Sequence, residues 1–501
     1  MPELPDMQNT AGQNMPELPA AFLDTLNTRK TVCVMGLGFV GSAMALAIAS
    51  AKAEDGSPLY NVIGVNRPSA SGERKVNAIN SGVFPFENND EKLKKAFAEA
   101  HGNGNLFATT DFACFELASV VVVDINLDVS YRENGEPYLD MSFFKQAMHD
   151  LGKRIQPCTL VIVETTVPPG TCERIVLPIL TEELHARGIA SSAPSVFSVS
   201  ASVAPPVYVA HSYERVMPGK DYFDSIINFW RVYSGVNAES ADRCESFLKT
   251  VIKTDKYPLT RLEKTNATEI AKVLENSYRA TTIAFMEEWG RFAEEIGVDL
   301  FEVINAIRMR PTHSNMREPG FGVGGYCLTK DPYFAMLSAK NIFGIEGMDF
   351  PFSTMAVRTN NAMPLVSLDK IQTALGGSLG GKKLLVLGVS YRQDVGDTRH
   401  SPTEIFAKEA VKRGAELTYQ DPLVPYFAEM GAEVLHEVPV SFRGYDAVVF
   451  TVRHGQYAAI DFDTLEADPG TLIFDANGVL NVEQRDALTR RPDLRFAAIG
   501  R

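Results

Sequence analysis

A chain of 501 residues is more than one hydrophobic core can hold, and the prior is about three domains. Hydrophobic content of 45% with 22% charged residues is that of a soluble globular protein, and a net charge of −14 argues against a nucleic-acid partner. The six cysteines lie far apart with no C-x-x-C pair, which argues against a zinc site or a disulfide framework and for a reducing cytoplasm.

Residues 1–28 contain Met1-Pro2-Glu3-Leu4-Pro5 and again Met15-Pro16-Glu17-Leu18-Pro19, a proline-punctuated repeat that reads as a flexible tail. Arg29 and Lys30 then precede an uncharged run over 31–51 that imitates a signal peptide or membrane span. Its three glycines at G-x-G-x-x-G spacing and its β-branched start fit a buried strand, tight turn and helix instead. No other stretch is a membrane candidate. From residue 31 to about 217 strands alternate with helices, the pattern of a parallel sheet covered on both faces, with strands expected at 31–35, 62–65, 120–123 and 160–163. The serine-, alanine- and proline-rich stretch 190–209 reads as an irregular connection.

Within this region Gly36-Leu37-Gly38-Phe39-Val40-Gly41 sits between a strand and an alanine-rich helix. Such glycines allow the turn, the approach of a pyrophosphate and close helix packing, with the helix N-terminus facing the phosphates. The second strand ends in Asn66-Arg67 rather than in the acid that usually holds the ribose hydroxyls. Asn66 can still bond a hydroxyl, while Arg67 would welcome a 2′-phosphate, so NAD is expected with NADP as the alternative. Glu164-Thr165-Thr166-Val167-Pro168-Pro169-Gly170-Thr171 follows an apolar strand, at the end of the sheet where ligands bind in such folds.

From about residue 241 to 337 the reading is helical. Asn266 and Glu269 predict a capping box, followed by a helix of about 30 residues that is long enough to pack against a partner subunit. Lys272 and Asn276, four apart, share a helix face and can steady a developing alkoxide. Gly320-Phe321-Gly322-Val323-Gly324-Gly325-Tyr326-Cys327-Leu328-Thr329-Lys330-Asp331-Pro332 then sets a cysteine behind glycines and ahead of a lysine and an aspartate. A thiol beside a cation is held nearer the nucleophilic thiolate, and a carboxylate in reach can handle protons. A dinucleotide fingerprint and a nucleophilic cysteine together suggest a dehydrogenase that works through a covalent thioester. Residues 345–381 read as a connection. A second α/β unit follows, with strands at 383–387, 416–419, 446–451 and 471–474, and a cleft is expected between the two nucleotide-type domains.

Six segments in this order resemble the nucleotide-sugar dehydrogenases, the UDP-glucose/GDP-mannose dehydrogenase family: G-L-G-F-V-G at 36–41, E-T-T-V-P-P-G-T at 164–171, Y-E-R-V-M-P-G at 213–219, E-I-A-K-V-L-E-N at 269–276, G-V-G-G-Y-C-L-T-K-D-P at 322–332 and D-T-R-H-S-P at 397–402. The resemblance implies an α/β fold of two Rossmann-like domains with parallel sheets, joined by a central helical domain containing a long helix. The expected boundaries are 1–28 for the tail, 29–225 for the NAD-binding domain, 226–365 for the central dimerisation domain and 366–501 for the UDP-sugar-binding domain.

It also implies a cytoplasmic, NAD-dependent, four-electron oxidation of a UDP-sugar C6 alcohol to the uronate for polysaccharide biosynthesis, by a homodimer or higher homo-oligomer without metal. An aldehyde has no hydride to donate until a nucleophile adds to it. Attack by Cys327 gives a thiohemiacetal, and its oxidation gives a thioester that water cleaves. By similarity Lys272 stabilises oxyanions with support from Asn276, Asp331 acts as base or orients water, and Glu164 lies near the hydrolytic water. Gly36, Gly38, Phe39, Val40, Gly41, Asn66, Arg67, Thr166 and Arg399 are expected at the cofactor. Glu214, Arg215, Arg310, Gly324, Gly325, Lys330 and Arg392 are expected at the substrate. The family's water-positioning threonine is missing from Asp124-Ile125-Asn126-Leu127-Asp128, so that role is vacant or taken by Asn126. The G-V-G-G-Y-C form favours UDP-N-acetylmannosamine or UDP-N-acetylglucosamine, with UDP-glucose the alternative that Lys330 favours. The competing readings are a two-electron hydroxyacid-type dehydrogenase and an inactive UDP-sugar binder.

Overall fold

The computed structural model describes residues 18–86, 89–189, 207–216, 219 and 221–501. Most of the 1–28 segment, residues 190–206 of the expected connection and Met217-Pro218 of the Y-E-R-V-M-P-G motif lie outside the described residues. The chain divides into two compact units, one running to Lys272 and including Leu337–Glu346, the other made of Val273–Met336 and Gly347–Arg501.

The first unit is built on strands β1 (Lys30–Met35), β2 (Tyr60–Val65), β3 (Leu106–Thr109), β4 (Ala118–Val123), the hairpin β5–β6 (Val129–Tyr131, Pro137–Leu139), β7 (Leu160–Val163), β8 (Tyr208–His211), β9 (Val232–Gly235) and β10 (Thr260–Arg261). Eight of these form one sheet in the order β10-β9-β8-β7-β4-β1-β2-β3. From β3 to β8 all pairings are parallel, and β9 turns antiparallel against β8. Strands β2, β7 and β8 are buried along their whole length, which requires helices on both faces and explains their mainly apolar sequences. Leaving out the hairpin, the six parallel strands follow the doubly wound order 3-2-1-4-5-6. The chain reverses direction across the sheet between β1 and β4, so the crevice for a ligand opens beyond the carboxyl ends of these two strands. The uncharged run at 31–51 is β1, a turn and the helix Phe39–Ala49.

Residues 18–28 do not behave as the expected tail. Ala20–Leu23 is a helical turn whose Phe22 is fully buried beside Phe107, with ring centroids 6.3 Å apart, and Thr25 donates to Asn61 Oδ1 at 3.1 Å. One aromatic side chain with a place on the sheet outweighs the proline spacing. The end of the expected 190–209 connection is likewise ordered, as β8.

The second unit carries β11 (Lys383–Leu387), β12 (Glu416–Gln420), β13 (Tyr426–Phe427), β14 (Ala432–Leu435), β15 (Ala447–Phe450), β16 (Leu472–Asp475) and β17 (Arg495–Ala498), in the order β13-β14-β12-β11-β15-β16-β17. Apart from the antiparallel β13 it repeats the 3-2-1-4-5-6 order, with its own switch point between β11 and β15. The helix Thr265–Glu295, 31 residues long, runs from the first unit into the second. Among the described residues no helix is long and apolar enough to cross a membrane.

Two local expectations are corrected. The 345–381 stretch is not a connection but mostly the 24-residue helix Pro351–Ala374. Pro351 stands at its first turn, where no N–H is needed, and Pro364 interrupts the ladder at Asn360, whose carbonyl lies against Gly322 instead. The capping box also fails. Glu269 accepts from Gly170 N at 2.6 Å and from Cys172 N at 2.8 Å, so it caps a different helix from its own.

Candidate active site

The glycine turn of the first unit has the shape its sequence predicts. Gly36 has φ +101°, and a Cβ there would run into Asp124 O; a Cβ at Gly41 would run into Gly36 O. Nothing lies within 4 Å of a Cβ at Gly38, which is the N-cap of the helix Phe39–Ala49 and has no side chain satisfying that helix end. The open N-terminus is a ready seat for a pyrophosphate. Asn66 follows β2, with its Oδ1 accepting from Arg67 N at 3.1 Å, and Arg67 is exposed. These residues fit a dinucleotide.

Across the switch point, at the carboxyl ends of β4, β7 and β8, lie buried charged groups. Glu164 is 1% exposed and pairs through Oε1 with Arg231, itself buried and absent from the sequence-based candidates. Lys272 Nζ donates to Glu214 O at 2.8 Å and lies 3.6 Å from Glu214 Oε1. Arg215 is held by Trp230 O at 2.9 Å and Tyr213 Oη at 3.3 Å. Thr165 donates to Val123 O at 3.1 Å and Ile125 O at 2.9 Å, fixing the segment that lacks the usual threonine; Thr166, its neighbour, is half-buried.

In the second unit the cysteine segment is a tight turn. Cys327 is half-buried, and its carbonyl accepts from Asp331 N at 2.9 Å. Asp331 is fully buried; its Oδ2 accepts from Asn276 at 2.7 Å and its Oδ1 from Lys330 at 2.8 Å. The Lys330 ammonium also stands over the rings of Tyr326 and Phe334, 4.5 and 4.6 Å from their centroids. Its position is therefore that of a support for Asp331. Gly324 and Gly325 are required by the protein's own packing: a Cβ on Gly325, at φ +81°, would lie 2.8 Å from the Tyr391 ring, and one on Gly324 would lie 2.7 Å from Pro402.

In the second sheet the turn after β11, Gly388-Val389-Ser390 with Gly388 at φ +107°, is closed. Val389 N and Ser390 N both donate to Asp421 Oδ2, at 2.9 and 3.0 Å. Asp421 follows β12, the position of the ribose acid in a dinucleotide fold, and here it occupies the amides of the turn after β11. Burial opposes its ionisation, but His454 and the backbone amides of Ser390 and Leu423 outweigh burial and hold its pKa below the ordinary carboxylate value. Beside this plug a cavity of about 190 Å³ is lined by Phe321, Ser390, Arg392, Thr451, Arg453 and Asn477. Arg392 thus reaches a cavity, whereas Arg399 is a bidentate partner of Asp397, at 3.0 and 2.7 Å, and Arg310 is exposed. Arg308 and Arg453 converge on Glu318, at 2.7 and 2.8 Å, a cluster the sequence reading missed because three separated charges carry no spacing signal.

Three domains described for the UDP-glucose/GDP-mannose dehydrogenase family match this chain in order: the NAD binding domain over residues 30–252, the central domain over 266–362 and the UDP binding domain over 385–482. UDP-N-acetyl-D-mannosamine dehydrogenase of Methanocaldococcus jannaschii is 28% identical over 91% of this chain and 93% of its own length. The structure of UDP-D-ManNAc dehydrogenase from Pyrococcus horikoshii superposes with a TM-score of 0.74 at 25% identity, covering 94% of this chain and 99% of that one. NDP-N-acetyl-D-galactosaminuronic acid dehydrogenase from Methanosarcina mazei Go1 gives a TM-score of 0.72 at 25% identity, covering 96% and 98%.

Proposed function

This chain belongs to the UDP-glucose/GDP-mannose dehydrogenase family, and on that premise we propose that it oxidises the C6 alcohol of a UDP-sugar to the carboxylate through Cys327. One observation carries the reading: the first sheet's glycine turn, within the NAD-binding match, is open, while the second sheet's turn, within the UDP-binding match, is closed by Asp421. Gly36, Gly38 and Gly41 would hold the pyrophosphate of NAD, and Asn66 a ribose hydroxyl. NAD supplies a hydride acceptor when bound.

The protein's own residues supply the rest. Cys327 adds to the aldehyde carbon, forming a C–S bond, and the resulting thiohemiacetal loses hydride to become a thioester. Water then breaks that C–S bond and returns the thiol. Lys272 steadies the oxyanions, Asp331 takes protons while Asn276 and Lys330 hold it, and Glu164 serves the hydrolytic water. Arg392 and the cavity beside it receive the nucleotide of the substrate. The names of the archaeal relatives support an N-acetylated sugar, UDP-N-acetylmannosamine first. Exposed apolar residues Ile270, Leu274, Tyr278, Phe285, Trp289 and Phe292 follow a helical repeat along Thr265–Glu295, and we assign that stripe to a homodimer of a cytoplasmic enzyme.

Supplying UDP-glucose, UDP-N-acetylglucosamine, UDP-N-acetylmannosamine and GDP-mannose with NAD or NADP tests the reading. The expected result is two NADH per UDP-N-acetylmannosamine; a single NADH per sugar would favour the two-electron alternative.

A further inference from the structure

Three carboxyls and two cations are packed at the carboxyl ends of β4, β7 and β8: Asp124, Glu164 and Glu214 with Arg231 and Lys272, none more than 9% exposed. Arg231 pairs with Glu164 and Lys272 lies beside Glu214, so Asp124 has no cation of its own. Two buried oxygens, Asp124 Oδ2 and Glu164 Oε2, find no donor among the described residues. An unsatisfied buried carboxylate oxygen is costly, and the two stand in a neighbourhood of net negative charge. A single proton held between them satisfies both oxygens and leaves the cluster neutral.

We propose that Asp124 and Glu164 share one proton, and that this pair responds to the charge of the nicotinamide ring. Burial and the adjacent Glu164 and Glu214 charges keep Asp124 well above the ordinary carboxylate range against the opposing pull of Arg231. The position supplies the response. In the 3-2-1-4-5-6 order the fingerprint and the end of β2 serve one nucleotide of the pair, which leaves the half of the sheet with β4, β7 and β8 to the nicotinamide nucleotide. Asp124 also borders the fingerprint itself: its Cβ would lie 3.1 Å from a Cβ on Gly41. The ring is cationic in NAD and neutral in NADH. A cation beside the pair would favour the doubly ionised form and expel the proton to solvent; beside a neutral ring the pair would keep it. The proton, exchanged with solvent, would offset the ring's charge, so charge in the buried cluster would stay balanced whichever form is bound.

The inference rests on the proposed use of NAD, and binding without substrate separates the two. NAD or NADH is added to the full chain near pH 7.5 in weakly buffered solution with an indicator dye. Calorimetry in two buffers of different ionisation enthalpy checks the proton count. We expect proton release approaching one per NAD bound and none per NADH, and loss of the release in Asp124→Asn, whose amide can still donate to Glu164. Equal release with both dinucleotides in the wild type, or binding without release, would overturn this inference alone. Failure of either dinucleotide to bind would overturn the cofactor assignment and this inference with it.

Discussion

Asn276 donates its amide to Asp331 at 2.7 Å, on the opposite carboxylate oxygen from the one Lys330 reaches at 2.8 Å. Asp331 is fully buried, so its charge depends on both partners. Replacing Lys330 by Met keeps the stem between the two rings but strands the carboxylate. Removing one partner of a buried pair typically costs about 3–5 kcal/mol. Lys330→Met is therefore expected to lower the urea midpoint strongly, and Lys330→Met with Asp331→Asn to regain much of that loss while remaining inactive. Equal midpoints for wild type and Lys330→Met would dismiss the support role.

The three fingerprint glycines answer to different constraints. Gly41 is packed on Gly36 O, so Gly41→Ala must push the helix Phe39–Ala49 from the turn, and a fall in stability of at least ~2 kcal/mol is expected together with lost NAD binding. Gly38 has open space around it. Gly38→Ala should unfold within ~0.5 kcal/mol of wild type, yet bind NAD at least ~10-fold more weakly, since the added methyl occupies the ligand's approach. Thermal unfolding and dinucleotide titration on the two variants check this. A Gly38→Ala variant with unchanged affinity would mean the pyrophosphate sits elsewhere.

Glu269 makes a pH prediction. Burial raises its pKa to about 7, against the amides of Cys172 and Gly170 that favour the anion. A carboxyl whose folded pKa lies above its unfolded one contributes stability that is complete below the unfolded value and lost as pH rises through the folded one. From the ordinary value of 4.5 to about 7, the change is of the order of 3 kcal/mol. Unfolding measured from pH 4.5 to 7.5 should show the wild type losing stability relative to Glu269→Gln across that window; parallel profiles would contradict it.

The sequence carried the fold where local and tertiary demands agree. The valine-rich runs of β4 and β7, the mainly apolar Thr-Val-Cys-Val-Met of β1 and the glycine turn could be read directly, because strands buried on both faces tolerate little else. The 351–374 helix could not be, since Pro364 signals a break, yet the helix continues through it. Around the candidate site, the contact of Lys330 with Asp331 joins neighbours within one motif, while that of Asn276 with Asp331 joins two separate segments that the sequence singled out. Arg231, Asp421 and the true partners of Glu269 were not, because each acts on residues tens of positions away: 67 residues separate Arg231 from Glu164, and 32 separate Asp421 from Val389.

The most direct measurement concerns Cys327. Wild type and Cys327→Ser are mixed with NAD and UDP-N-acetylmannosamine, NADH is counted, and the quenched protein is weighed by mass spectrometry. The account predicts a sugar adduct on Cys327 in the wild type during turnover and two NADH per sugar. Cys327→Ser should yield neither the thioester nor sustained turnover, falling by at least ~1,000-fold. A Cys327→Ser variant that completes both oxidations at the wild-type rate would contradict the covalent route.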